Sequence, residues 1–253
     1  MFKSSWEWLL LILGFIYWAT VGLLITFLGI TLSLLFSRQK TLKFGRYLLS
    51  SAFKIFIAFL DITGLLVLDD SELKKIANLD GPAIIAPNHI ALWDAVFIIA
   101  SLPEIVCIMK GEILSNPFLG GGAQLAGYIP DDSISIMFKQ AIKCLKGQEK
   151  ILLFSEGTRT KNDAKWINPI KGGVALLARK AQVPVVPVFI RSNTRFLEKG
   201  WLLFKKPIFP LHISFTVGDC VYIKADESTR TFNIRLENIY IYELSRPHTL
   251  IRI

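Results

Sequence analysis

The sequence predicts an α/β fold, a largely parallel sheet flanked by helices, preceded by an N-terminal apolar two-helix membrane-binding segment. Three observations lead there. Positions 8–36, "WLLLILGFIYWATVGLLITFLGITLSLLF", carry no charged residue. Beyond position 69, short β-rich runs alternate with helical patterns, the signature of strands separated by crossover helices. And 52% of the 253 residues are hydrophobic, with a mean hydropathy of +0.47, which points to membrane contact.

The elements follow in order. A helix needs about 20 apolar residues to cross a bilayer, so the run at 8–36 is long enough. It is too long for the apolar core of a signal peptide and no small-residue cleavage site closes it, so it is expected to be kept. Tryptophans and a tyrosine near its start suit an interfacial aromatic belt. "SRQKTLKFGR" follows, with Arg38, Lys40, Lys43 and Arg46 and no acid; the positive-inside rule then puts the rest of the chain in the cytoplasm. A second apolar stretch, 47–68, is interrupted by Lys54 and Asp61 and reads as a helix lying in or against the membrane face. The expected division is therefore 1–68 for membrane-binding helices and 69–253 for the α/β domain.

In that domain the strand candidates are "GPAIIAPN", "EIVCIMK", "KILLFSEG" and "PVVPVFI". Helices are expected at 92–101, 133–147 and 170–181. The C-terminal part turns β-rich in "LHISFTVGDCVYI", and "RLENIYIYELSRPHTLIRI" supports no assignment.

The net charge of +9 and pI near 9.5 favour an anionic partner: a bilayer surface, an acidic carrier protein or nucleic acid. Zinc-finger spacing, an RNP-like motif and a dense basic run are all missing, which argues against nucleic acid. Cys107, Cys144 and Cys220 are far apart and in apolar contexts, as expected of reduced thiols in a cytosolic compartment and not of disulfides or a metal site.

Two constellations carry chemistry. In "AIIAPNHIALWDAVFII" (83–99) an apolar segment holds His89 and Asp94, five positions apart; His212 and His248 have no comparable setting. On one straight helix residues five apart point about 140° away from each other. If "AIIAP" is a strand and the helix begins just after Asn88–His89, Asp94 can reach back to the ring. A carboxylate on one ring nitrogen fixes the tautomer and frees the other as a general base, although a buried structural His–Asp pair has the same spacing. In "LLFSEGTRT" (152–160) a strand runs into Glu156, Gly157, Thr158 and Arg159. These are a carboxylate, a flexible glycine, a hydroxyl and a guanidinium that grips phosphate in two-pronged fashion. An ordinary surface loop with an internal Glu–Arg pair reads the same way.

Taken in order, "NHIALWD", "FSEGTR" and "VPVVPVFI" resemble the lysophosphatidate (1-acylglycerol-3-phosphate) acyltransferase family of glycerolipid acyltransferases, marked by N-H-x4-D, F-P-E-G-T-R and V-P-V blocks. "MKGEI" (109–113) and "IKGGVALLA" (170–178) resemble its lysine-bearing segments, and the similarity covers roughly residues 65–220. The resemblance implies that His89 deprotonates the acceptor hydroxyl while Asp94 holds and polarises it. It also implies that Glu156, Gly157, Thr158 and Arg159 bind the glycerol phosphate, with Lys110 as helper and Asn88 among the substrate-binding residues. It implies acyl-CoA or acyl-carrier protein as donor, no metal or cofactor, a membrane lipid acceptor, and a bacterial inner-membrane location with the catalytic domain on the cytoplasmic face. Lysophosphatidate is the default acceptor and phosphatidic acid the product. Two departures stand out: Ser155 replaces a usual proline, and "GYIPDDS" (127–133) offers Asp131 and Asp132 where the family usually has an arginine. An acceptor such as a lyso-ornithine lipid or another lysophospholipid is less troubled by these acids. A silent lipid-binding relative, or a thioester hydrolase using the same base on water, are the rival readings.

Overall fold

The computed structural model describes residues 2–247, apart from 162, 163, 165, 203 and 204; His248 and the side chains of Arg38 and Lys40 lie outside the described residues. Helix α1 (Phe2–Leu35) is followed by α2 (Arg38–Ile62), then by strand β1 (Leu66–Asp69), a 3-10 turn (Ser71–Leu73) and α3 (Lys74–Ala77). Next come β2 (Ile84–Pro87), α4 (Asp94–Ser101), β3 (Val106–Met109), α5 (Gly111–Leu114), α6 (Gly120–Leu125), β4 (Ile129–Pro130), α7 (Ile134–Lys146), β5 (Ile151–Leu152), α8 (Gly173–Ala181), β6 (Val185–Ser192), β7 (Leu211–Val217) and α9 (Thr229–Ser245).

One seven-stranded sheet runs β1-β7-β6-β2-β5-β3-β4. Every pairing is parallel except that between β6 and β7. All four residues of β2 are buried, as a central strand covered on both faces requires. Alternation sorts the strand side chains into two layers. Ile85, Cys107, Leu152, Val186 and Val188 face one core with Phe97 and Ile98 of α4, below which lie Phe56 and Leu60 of α2 and Leu10 and Leu11 of α1. Ile84, Val106, Ile151, Val185 and Phe189 face the other, built from α7, α8 and α9.

The expected helices at 92–101, 133–147 and 170–181 shorten to α4, α7 and α8. The strand read at 150–157 keeps two ladder residues, because the chain bends away at Ser155 into a tight turn with Gly157 at φ +66°. α9 is the element the sequence left unassigned. Ser228 caps its amino end by accepting from the Thr231 N–H at 3.0 Å, and Phe232, Leu236, Tyr240 and Leu244 form its buried stripe.

The N-terminal region departs from expectation in three ways. β1 straddles the boundary drawn at 68, since Leu66 already pairs with Leu211. α2 is not chiefly a surface helix: Leu49, Phe53, Phe56 and Leu60 are buried in the first core. And Arg46 is no topological signal. It is 6% exposed, and its guanidinium donates to the Ala126 and Glu104 carbonyls and to Glu149 at 2.6 Å, tying α2 to the sheet. Among the described residues one helical stretch, Ser4–Leu32, is long and apolar enough to cross a membrane, with a mean hydropathy of 2.3.

The three thiols are unpaired. Burial pushes Cys107 to about 12, and burial with the nearby Glu149 pushes Cys144 to about 12, so both remain protonated near neutral pH.

Candidate active site

Parallel strands bring the chain out at one edge of the sheet, and in open α/β sheets that carboxyl edge is where ligands bind. His89 follows β2, Lys110 follows β3, Asp131 follows β4, and the Ser155–Thr160 loop follows β5. A cavity of about 1040 Å³ opens at the opposite edge, lined among others by Arg46, Glu104 and Lys150, and has no part in this constellation.

The chain leaves β2, makes one non-helical turn over 88–93 and enters α4 with Asp94 as its first residue. That turn brings the pair together: His89 Nδ1 lies 3.0 Å from Asp94 Oδ2, and the same oxygen accepts the Ala91 N–H at 2.8 Å. Asp94 is 2% exposed, while the His89 side chain keeps 16%. With Nδ1 taken by the carboxylate, Nε2 is the nitrogen left for proton transfer. The imidazole stacks on Phe154 with ring centres 3.9 Å apart, which limits its rotation.

Glu156 was expected to face an acceptor phosphate; it faces inward. At 2% exposure its carboxylate accepts the His89 N–H at 2.9 Å, the Asn168 N–H at 2.7 Å and the Thr160 hydroxyl at 2.8 and 2.9 Å. Thr160 N–H in turn donates to the His89 carbonyl at 2.5 Å. Burial pushes the Glu156 carboxyl above its ordinary value, opposed by the donors from Asn168, His89 and Thr160. Glu156 thus clamps the main chain of His89 to the loop after β5.

Asn88 is likewise turned away from solvent. Its amide donates to the Ile190 carbonyl at 3.1 Å and accepts the Ile190 N–H at 2.7 Å, so it joins β2 to β6 and is not a surface for substrate. Arg159 Nη1 donates to the carbonyls of Leu197 at 2.7 Å and Glu198 at 3.2 Å, which braces the loop against the segment after β6. Gly157 and Thr158 stand at the loop's outer side, Gly157 exposed and Thr158 half-buried. Lys110 is exposed, two strand steps from β2, roughly 10 Å across the sheet at about 4.8 Å per step. Asp132 packs its carboxylate onto Gly111, where a Cβ would run into it.

Four residues of this site escaped the sequence reading. Phe154, Thr160 and Asn168 shape the clamp. Lys171 lies across Gly157: a Cβ on Gly157 would meet the Lys171 Nζ at 2.6 Å, and the Lys171 N–H donates to the Ser155 carbonyl at 2.9 Å. The left-handed backbone of Gly157 and the space that Lys171 fills both demand glycine there. The only sign of Lys171 in the sequence was the "IKGG" segment that precedes α8.

Several known proteins are similar to this chain. The chain is 32% identical over 133 residues to the mouse (Mus musculus) 1-acyl-sn-glycerol-3-phosphate acyltransferase alpha, covering 50% of this chain and 46% of that protein. It is 24% identical over 162 residues to the Pseudomonas aeruginosa 1-acyl-sn-glycerol-3-phosphate acyltransferase, covering 61% and 60%. The chain thus spans about half the length of such relatives. Its fold matches the crystal structure of the 1-acyl-sn-glycerophosphate acyltransferase PlsC of Thermotoga maritima with a TM-score of 0.69, at 22% identity, over 96% of this chain and 97% of that one. The family model described as "Acyltransferase" matches residues 68–191, a stretch that holds His89, Asp94, the Glu156–Thr160 clamp and Lys171. Residues 68–191 thus form an acyltransferase-family domain.

Proposed function

We propose that the protein is a membrane-bound O-acyltransferase that moves a fatty acyl chain from acyl-CoA or acyl-carrier protein to the free hydroxyl of 1-acylglycerol-3-phosphate, giving phosphatidic acid. The observation that carries this reading is the Nδ1–Asp94 contact of 3.0 Å beside a loop rich in donors. His89 Nε2 takes the proton of the acceptor hydroxyl. The hydroxyl oxygen attacks the thioester carbonyl, the carbon–sulfur bond breaks, and the thiolate leaves and regains the proton from the imidazolium. A cysteine-type thiol has an ordinary pKa near 8.5, so departure needs no strong acid. The acceptor phosphate is held by Lys171, by Gly157 and Thr158, and by the guanidinium nitrogens of Arg159 that the Leu197 and Glu198 carbonyls leave available. The 1-acyl-sn-glycerol-3-phosphate acyltransferases among the relatives support this acceptor.

The membrane reading rests on α1. Leu13, Ile16, Leu24 and Phe27 point outward, Phe27 at 73% exposure. Glu7 pairs with Lys206 at 2.5 Å, and Gly29 packs on Gly121 and Leu125 of α6. These contacts are 22 residues apart, about 33 Å at 1.5 Å per residue, against a hydrocarbon core of about 30 Å. A helix held by one domain at both ends favours embedding in a single leaflet over crossing. The unpaired thiols suit a reducing cytoplasm, hence the cytoplasmic face of a bacterial inner membrane.

A second acceptor reading is favoured by Asp132, whose carboxylate sits on Gly111 beside Lys110, where a phosphate would be repelled. One experiment separates the readings: acyl transfer from labelled acyl-CoA and acyl-carrier protein to lysophosphatidate, other lysophospholipids and lyso-ornithine lipid. His89→Ala should lower turnover by about 10²- to 10⁴-fold, the usual worth of a general base. Lys171→Met should raise the KM for lysophosphatidate by about 10- to 100-fold, the worth of a charge-assisted hydrogen bond, with Lys171→Arg recovering most of it. Turnover with a phosphate-free acceptor alone would transfer the assignment to the second reading. Equal activity of wild type and His89→Ala on every acceptor would end the catalytic one.

A further inference from the structure

The segment between β6 and β7 carries a feature that α1 does not explain. From 199 to 210 the chain reads "KGWLLFKKPIFP", three lysines and no acid. It is a built turn. Trp201 Nε1 donates to the Lys205 carbonyl at 2.8 Å, the Lys205 N–H donates to the Leu202 carbonyl at 2.8 Å, and the Lys205 ammonium sits 4.7 Å from the centre of the Trp201 ring. Yet this turn presents Leu202 at 73% and Ile208 at 84% exposure, and Lys199 and Lys205 are exposed beside them. Folding gains nothing from two large aliphatic side chains held in water. Aliphatic tips, a tryptophan with a polar handle and flanking lysines are together what an anionic lipid interface rewards.

Its position supplies the partner. Lys206 Nζ donates to Glu7 Oε2 at 2.5 Å and to Ser4 Oγ at 3.2 Å, so the turn is fastened to the amino end of α1, beside Trp6, itself 57% exposed. The turn is therefore held next to the amino end of α1, whose outer side is apolar. On the other side the turn leads to the chemistry. Trp201 packs edge-on to Phe196 at 5.5 Å and Phe196 to Trp93 at 5.1 Å. The Leu197 carbonyl accepts from Leu92 at 3.2 Å and from Arg159 at 2.7 Å.

We propose that residues 199–202 and 205–208 are a second membrane-contacting element, which sets Leu202 and Ile208 into the interface of an anionic bilayer level with the amino end of α1. This rests on the membrane reading of α1. It adds that the rim of the His89 turn is held at the lipid surface from two sides, so that a lipid acceptor reaches the base from the bilayer without passing through water. Each lysine near an anionic surface strengthens the contact by about fivefold.

The test uses the full chain with Cys144→Ser and Cys220→Ser, carrying an environment-sensitive fluorophore on Leu202→Cys, on Ile16→Cys of α1, or on Ile136→Cys of α7. Each is reconstituted with phosphatidylcholine vesicles, with or without phosphatidylglycerol, and with lipids brominated high in the acyl chain. The labels at 202 and 16 should shift to the blue and be quenched, that at 202 more strongly with phosphatidylglycerol, and that at 136 should do neither. Quenching at 16 with 202 still in water overturns the proposal and leaves the membrane reading standing. Quenching at neither removes both. A label at 202 that answers only to added acyl-carrier protein makes the turn a protein-docking site and also overturns the proposal. In parallel, the double variant Leu202→Asp with Ile208→Asp should lose at least about tenfold in activity on acceptor presented in vesicles and match wild type on a monomeric short-chain acceptor. Parity on both acceptors would sink the proposal independently.

Discussion

Asn88 and His89 are neighbours in the chain and opposite in orientation. His89 keeps part of its ring exposed at the carboxyl edge of the sheet, while Asn88 satisfies both backbone groups of Ile190. Asn88→Ala leaves a buried N–H and a buried carbonyl without that partner, and each such group costs about 1–3 kcal/mol. A fall in the urea midpoint at unchanged m-value is expected for Asn88→Ala. Enzyme that stays folded should retain its acceptor KM, which would rise if the amide instead touched substrate. His89→Ala should show the reverse, an intact midpoint and lost turnover. The residue types at 88, 89, 94 and 156 were legible in the sequence, and for Asn88 and Glu156 their directions were not. Direction depends on partners 102 positions away for Asn88 and 67 for Glu156, and no local pattern encodes those.

Among the elements, α9 shows why part of the fold was hidden. "IYIY" at 239–242 alternates β-branched and aromatic side chains, a strand-like texture, while the buried set at 232, 236, 240 and 244 recurs every four residues on one helical face. Tertiary packing decided between them. Tyr240 reaches across to donate to the Ala86 carbonyl of β2, an anchor invisible without the sheet. Conversely, β5 was read too long because an apolar run continues to Phe154, and only the turn at Gly157 ends it. The entrance to α9 carries a pH prediction. Glu227 is held down to about 2, against an ordinary 4.5, chiefly by hydrogen bonds from Arg235, at 2.8 and 2.7 Å. The folded chain binds this proton more weakly than the unfolded chain does. The pair's contribution is therefore complete above pH 4.5 and is lost as pH falls from there through about 2. Arg235→Gln should lower the denaturation midpoint at neutral pH and flatten its fall between pH 4.5 and 2. An acid limb identical to wild type would remove the pair from the account.

At the scale of the molecule, the α/β sheet and the apolar N-terminal helices were both legible, because each rests on a periodicity that the chain displays locally. Their union was not. The sequence divides the chain into membrane-binding helices over 1–68 and an α/β domain over 69–253, whereas α1 packs on the domain along its length. Gly22 meets the main chain of Phe118 and Gly121 meets Thr26 so closely that neither site has room for a Cβ. The Thr26 hydroxyl bonds the Pro117 carbonyl at 3.1 Å, and the Tyr17 hydroxyl bonds that of Ala52 in α2 at 2.7 Å. Small residues that let backbones touch mark helix packing where the surroundings are as apolar as the interface. A larger side chain at Gly22 must push α1 off the Phe118 main chain just ahead of α6, and overpacking of this kind costs about 1–3 kcal/mol. Leu24, two positions on, is 67% exposed and touches little. In detergent, then, Gly22→Leu should lower the thermal midpoint of the whole chain, and Leu24→Ala should leave it unchanged. A separable anchor predicts no effect from either, since the domain would melt independently of the helix beside it. A midpoint for Gly22→Leu equal to wild type would therefore return α1 to the role of a tether, and with it would go the argument that one leaflet, not two, holds this helix.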